Sequence, residues 1–511
     1  MKLVQDSLLA SAERAPDKVA IVDEYTSATY AELRDDALRF ARALQDAGLE
    51  HGDRVALYLD NTVDCAVAIF GVLLAGGAFT FVNPQTKAGK LAFILNDSGA
   101  RFLVAESHSA DIADAAVAEA EQVERIFTTG GESTFREAIR ESAGEPADAK
   151  ADPAVLASLV YTSGTTGEPK GVMHSHAGLV FATESIAEYL GLDENDRVLS
   201  ILPIAFTYGL SQLLLTVRLG ATLLLERSFT FPAKTLARLR EEKATVFPAV
   251  PTVFATILAM SEDTSYPSVR CLTNAAAGLP PALHEGLRRV FPNALLYRMY
   301  GQTECIRVCY LEPELIDAKP TSIGKAIPGT EAFVLDDDGS PVEPGEVGIL
   351  HVRGPHIMMG YWGAPVLTAE KLDAAAGTMS TLDHFTIDEE GDLYFVDRSD
   401  DIIKTRGEKV SSVEVENALH DVAGIRQAAV VGVPDELLGE AVRAFVLLDE
   451  GAELTELDVI RECRTRLENF MVPREVVFMT ELPHTDSGKV RKKSLSREPL
   501  ASSPASTLSR R

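Results

Sequence analysis

The sequence predicts an α/β protein: a large N-terminal domain of parallel or mixed sheets with flanking helices, a β-rich subdomain, and a small α+β C-terminal domain. Three observations predict it. Strand-like and helix-like runs alternate to about residue 320, hairpin signals replace them from there, and a charged hinge-like stretch near 398 precedes a short second alternation. Alternating β and α runs imply parallel strands with helices on the sheet faces.

In chain order, "RVALYL" (54–59), "FTFVN" and "RFLVAE" read as strands, with helices after Asn61 and at "KLAFILND". "CAVAIFGVLLAGGAFTFV" (65–82) is 18 residues without a charge, the lower limit of a membrane span. Gly76–Gly77 breaks it, so a buried helix over 62–75 and a strand over 78–82 are expected, and no membrane span. A polar, turn-rich connection (141–153) precedes the strand "AVLASLV" (154–160), and the pattern resumes through "RVLSILP", "ATLLLE", a helix over 233–243, and "ATVFPAVP". "EAFVLDDDGSPVEPGEVGILHVRG" (331–354) sets turn residues between alternating apolar runs. Domains are expected at 1–398 and 399–495, with 496–511 a serine-rich, disordered tail.

At 511 residues more than one domain is expected. The net charge of −28 argues against nucleic acid as a partner, because phosphate contacts need a basic surface. Cys65, Cys271, Cys305, Cys309 and Cys463 show no C-x-x-C spacing, so no disulfide framework or zinc site follows and a cytoplasmic location is expected. The N-terminus lacks the sustained apolar segment of a secretory signal.

Chemistry gathers at four places. "YTSGTTGEPKG" (161–171) is a glycine- and hydroxyl-rich loop after a strand, suited to an anion held by backbone N–H groups. It is no P-loop, since Pro169 stands five beyond Gly164, and no G-x-G-x-x-G passes through it. "RMYGQTEC" (298–305) supplies an aromatic face, a hydroxyl and a carboxylate within five residues. "TLDHFTIDEEGDLYFVDRSDDIIKTRGEKV" (381–410) offers Asp383 for paired ribose hydroxyls and a locally basic edge at Arg398, Lys404, Arg406 and Lys409. "LPHTDSGKVRKKSL" (482–495) presents Lys489 at a glycine turn. Each has an ordinary alternative: a polar turn or a solvated charged loop.

Their order, with "GYW" (360–362), resembles the adenylate-forming superfamily of acyl-CoA synthetases, adenylation domains and luciferases, from about Tyr30 to Leu495. The resemblance implies ATP-dependent activation of a carboxylic acid to an acyl-adenylate, then transfer to coenzyme A. A stand-alone ligase loading a carrier protein's phosphopantetheine arm is the alternative. Thr162, Ser163, Gly164, Thr165, Thr166, Gly167 and Lys170 would hold the ATP phosphates. Tyr300 and Gly301 would meet adenine beside Ala276 and Ala277, which stand where glycines are usual and narrow the pocket wall. Thr303 would contact the α-phosphate and Glu304 would hold Mg2+. Asp383 and Arg398 would bind ribose, and Lys409 belongs to the same nucleotide-binding group. Lys489 would bridge the acid and the α-phosphate as the catalytic lysine. Asp400 matches the hinge of a mobile small domain, and Gly407 the loop presented for the thiol step.

The acyl pocket would be lined by Phe206, Thr207, Gly209 and Cys305. Thr207 stands where amino-acid-activating domains carry aspartate, which argues for a plain carboxylic acid. Leu382 replaces a usual glycine; a leucine resists positive φ, so a different local backbone is expected there. Ile349, where glutamate is common, reads as structural. Arg307 is expected to form a structural ion pair, with a second carboxylate of the substrate as the other reading. The sequence leaves the acid, its chain length and a homo-oligomeric state open.

Overall fold

The computed structural model describes residues 2–147, 152–163, 169–261, 264–276, 278–279, 281–336, 338–398, 402–449, 451–483, 492 and 495. The chain divides into two compact units, the first made of residues 1–162 and 169–399 and the second mainly of residues from 400 on.

In the first unit two large sheets carry the alternating pattern. One runs, edge to edge among the described residues, Gly360–Tyr361, Pro169–Ser175, Leu156–Ser163, Ala78–Phe81, Arg54–Tyr58, Ala100–Glu106 and Arg125–Thr129. The strands from Ala78–Phe81 outward to Arg125–Thr129 pair in parallel, and Gly360–Tyr361 pairs antiparallel with Pro169–Ser175. The other has Val19–Val22, Thr222–Leu225, Arg197–Ser200, Val246–Ala249, Cys271–Asn274 and Leu295–Tyr300 in parallel. Its edges, Ser27–Thr29 at one side and Cys309–Leu311 with Lys325–Ala326 at the other, run antiparallel.

The helices Tyr30–Asp46, Val63–Ala75, His176–Leu190 and Thr207–Leu219 share one apolar cluster with strands of both sheets, including Leu44, Phe70, Phe79, Val198 and Leu213. The long uncharged stretch resolves as expected. Thr62 caps the helix Val63–Ala75 by accepting from the Cys65 amide, and Gly76 closes it at φ 89° before the strand Ala78–Phe81. Eleven of that helix's residues are buried, which accounts for its apolarity on every face. No helix among the described residues is long and apolar enough to cross a membrane.

The hairpin-rich segment forms its own sheet from Glu331–Leu335, Gly348–Arg353, Leu372–Asp373, Thr378–Ile387 and Leu393–Arg398. It closes over a core containing Leu350, Val352, Met379 and Phe385. The second unit is a sheet of Ile402–Thr405, Glu408–Ser411, Ile425–Asp435, Gly439–Leu448 and Glu475–Phe478. The helices Ser412–His420 and Glu456–Arg466 pack on it through Val415, Leu419, Val459 and Cys463. Lys492 donates to Ser412 Oγ at 2.7 Å and pairs with Glu416 at 2.8 Å.

Candidate active site

The turn after the strand Leu295–Tyr300 organises the site. Gly301 sits where a Cβ would lie 2.5 Å from the Ile306 carbonyl oxygen and 2.8 Å from Arg307 Cα, so only glycine lets the chain cross itself there. The backbone then makes a short 3₁₀ turn, Thr303–Cys305, and Thr303 is half-buried.

At the start of this turn the Tyr300 hydroxyl donates to Asp383 Oδ2 at 2.6 Å, and its ring packs edge-on against Phe385 at 5.0 Å. Gln302 Nε2 donates to the same Oδ2 and to the Thr381 carbonyl, each at 2.9 Å. Thr381 Oγ1 in turn accepts from the Asp383 amide and donates to the Leu350 carbonyl. Burial and the Asp383 charge raise the Tyr300 phenol well above its ordinary range, so it stays a donor. The Asp383 carboxylate is buried and held in one orientation.

At the other end, Glu304 Oε1 accepts from the Tyr361 hydroxyl at 2.6 Å and from Lys371 Nζ at 3.0 Å. The Glu304 carbonyl accepts from the Met358 amide at 2.7 Å. Tyr361 also carries Lys170, whose ammonium lies 5.7 Å from the ring centroid. Glu304, Tyr361, Lys371 and Lys170 therefore form one chain of contacts. The donor set suits magnesium: one carboxylate suffices when substrate phosphates supply the other oxygens. The acidic group Asp388, Glu390 and Asp392 is different, because the Lys319 ammonium pairs with all three carboxylates.

The flanks of the glycine loop are pinned. The Tyr161 hydroxyl donates to Asp97 Oδ2 at 2.5 Å, Trp362 Nε1 donates to the Asp97 carbonyl at 2.9 Å, and the Trp362 amide donates to the Gly171 carbonyl at 2.7 Å. The "GYW" segment thus anchors the loop's exit strand through Gly360↔Met173 and Tyr361↔Val172 pairing. Thr162 is half-buried at the end of Leu156–Ser163. Gly164, Thr165, Thr166, Gly167, Ala277, Asp400 and Lys489 lie outside the described residues, as do the side chains of Ser163, Arg398 and Lys409. The Arg398 backbone pairs in register with Asp383. Gly407, at φ 79°, and Arg406, at φ 55°, form a two-residue hairpin turn between Thr405 and Glu408.

Two expectations are corrected. Leu382 does not reshape the backbone: it takes φ 57°, the conformation a glycine would adopt, held by the Thr381 and Asp383 contacts on either side. Ala276 likewise sits at φ 70°. Arg307 makes no structural ion pair among the described residues, although it is only 3% exposed.

Phe206 and Thr207 are half-buried at the start of the helix Thr207–Leu219, and a Cβ on Gly209 would lie 2.1 Å from the Pro203 carbonyl oxygen. Cys305 instead joins the apolar cluster of Val172, Val308 and Phe385, apart from the cluster beneath Tyr208. Sequence reasoning passed over Gln302, Lys371 and Tyr208. Gln302 was visible as the polar residue between two singled-out ones; Lys371 carries no motif at all.

The sequence profile of the AMP-binding enzyme family matches residues 8–362, and that of the AMP-binding enzyme C-terminal domain matches 414–489. The chain is 33% identical to a propanoyl:CoA ligase of Rhodococcus jostii whose acyl group carries a methyl-dioxo-octahydroindenyl substituent, covering 96% of this chain and 98% of that one. It is 31% identical to 2-succinylbenzoate–CoA ligase of Geobacillus kaustophilus, covering 94% and 95%. Among solved structures it resembles a double mutant of o-succinylbenzoate CoA synthetase from Bacillus subtilis bound to a product analogue. The TM-score is 0.86 at 27% identity, covering 96% of this chain and 98% of that one.

Proposed function

The chain belongs to the AMP-binding enzyme family, and from that premise we propose that this acid–thiol ligase activates a carboxylic acid with ATP and transfers the acyl group to coenzyme A. One observation carries the reading. The single turn 300–304 holds the buried carboxylate of Asp383 at one end and that of Glu304 at the other, the two ends a nucleotide would need.

The acid oxygen attacks the α-phosphorus of ATP, a new P–O bond forms, and pyrophosphate leaves. The thiol sulfur then attacks the acyl carbon, the thiol proton is lost, and AMP departs with the former anhydride oxygen. Both partners in the first step are anions, so the site must supply positive charge and fixed donors. Magnesium, when bound, would neutralise phosphate charge beside Glu304. Tyr300 and Gln302 orient Asp383 for the ribose hydroxyls, with Arg398 beside it in register. Lys371 and Tyr361 fix the Glu304 carboxylate, Lys170 flanks the phosphates, and Thr303 faces the α-phosphate. Lys489 is assigned the bridge between acid and α-phosphate. The hinge at Asp400 and the Gly407 loop are assigned to the second half-reaction.

The test is a carboxylic-acid panel with ATP, Mg2+ and CoA, following AMP and acyl-CoA together, in the wild type and Lys489→Ala. Lys489→Ala is expected to slow adenylation by about 10²–10³ and to spare thioester formation from supplied acyl-adenylate. AMP release without acyl-CoA, rescued by a phosphopantetheinylated carrier, would reassign the thiol substrate. No AMP with any acid would overturn the reading.

A further inference from the structure

Beyond the common chemistry, the residues following Glu304 point to the substrate. Ile306 has φ 55° and ψ −62°, and the Arg307 amide donates to the Cys305 carbonyl at 2.5 Å. This is a three-residue γ-turn of the rare positive-φ type, centred on a β-branched residue. Such strain persists only where the surroundings enforce it. Here the Val308 amide is tied to the Tyr300 carbonyl at 2.9 Å, and the crossing at Gly301 presses on the same turn.

The turn sends Arg307 inward. Its guanidinium carbon lies 5.1 Å from the Tyr208 ring centroid, and the Tyr208 hydroxyl is committed to the carbonyl and hydroxyl of Thr273. Arg307 Nε is buried without a hydrogen-bond partner, and no carboxylate pairs with the side chain among the described residues. A cation–π contact does not offset the desolvation of a buried charge. The nearby helix start, Thr207–Leu219, carries no acidic residue in its first turn, so it adds to the local positive potential.

We propose that Arg307 is a specificity-determining residue that receives a second carboxylate, carried by the far end of the acid substrate. The assignment rests on the ligase reading above. Thr303 and Glu304 serve the reacting end and Arg307 the distal end of the same turn. The planar guanidinium pairs with a carboxylate through two parallel hydrogen bonds, and a monocarboxylic acid would leave it buried and unmet.

The experiment compares dicarboxylic acids of three to ten carbons with monocarboxylic acids of equal length, in the wild type, Arg307→Met and Arg307→Lys. AMP formation gives kcat/KM, and thermal unfolding accompanies each protein. The wild type is expected to favour its best diacid over the matched monoacid by roughly 10- to 100-fold. Arg307→Met should collapse that ratio, Arg307→Lys should retain part of it, and Arg307→Met should not lower Tm, since no native ion pair is broken. Equal kcat/KM for the two acid classes in the wild type overturns the assignment, as does an unchanged ratio in Arg307→Met. A fall of several degrees in Tm would mark Arg307 as structural and also overturn it. No AMP formation with any acid of either class would remove the ligase reading itself, an outcome distinct from activity without diacid preference.

Discussion

The Tyr300 hydroxyl and Asp383 Oδ2 meet at 2.6 Å across two sheets, joining the end of a parallel strand to the middle of the β-rich subdomain's long strand. This bond sets where a ribose-binding carboxylate stands. Tyr300→Phe keeps the ring against Phe385 and leaves Gln302 Nε2 still donating from this turn to Oδ2. Losing one hydrogen bond to a charged group raises the KM for ATP by about tenfold, with kcat less affected. Pyrophosphate exchange across an ATP series checks this, and an unchanged KM would separate the pair from nucleotide binding.

Leu382, between Thr381 and Asp383, stores strain at φ 57°. An L-residue in this region costs roughly 1–2 kcal/mol, and glycine removes that cost while loosening the unfolded chain by about 0.5–1 kcal/mol. Leu382→Gly is therefore expected to melt within a few degrees of wild type. Leu382→Val places a β-branched residue there and should melt lower. Paired thermal melts decide it, and a Val variant as stable as the Gly variant would contradict the strain.

What was legible in the sequence follows from range. The buried helix Val63–Ala75 declares itself locally, through its cap, its glycines and its unbroken apolarity. Tyr300, Glu304 and Asp383 stand out as motif residues, and the structure brings all three to one turn. Lys371 lies 67 residues from the carboxylate it pairs with, and nothing local marks it. Leu382 was misread because propensity opposes positive φ, whereas flanking hydrogen bonds outweigh propensity here. The ion pair expected of Arg307 follows from the rule that buried arginines are ordinarily paired; only the three-dimensional surroundings reveal that no carboxylate among the described residues pairs with it.

Lys371 and Glu304 form a pair whose side chains are 12% and 10% exposed. Removing one partner strands the other's charge, which costs on the order of 3 kcal/mol. Lys371→Met should lower stability by about that amount, and adding Glu304→Gln should recover at least ~1 kcal/mol, because the stranded charge is gone. Urea unfolding of the two single variants and the double variant checks the coupling. Additive losses would show that the contact carries no interaction energy.

His174, His176 and His356 are all buried, and burial pushes each ring down to about 4 from the ordinary 6.5, with the Glu304 charge opposing it weakly at His174. In the unfolded chain these rings bind protons as pH falls through about 6.5, while the folded chain resists protonation until about 4. Stability is therefore fully present above about pH 6.5 and is lost as pH falls towards 4, by about 3 kcal/mol per ring over the window. His176 accepts from the Val4 amide through Nδ1 at 3.3 Å, a bond that a glutamine oxygen can replace. In His176→Gln the slope of the urea midpoint between pH 6.5 and 4 is expected to flatten, because one of the proton-binding differences between folded and unfolded chain has been removed. A slope equal to that of wild type would place the acid sensitivity elsewhere than in the His176 ring.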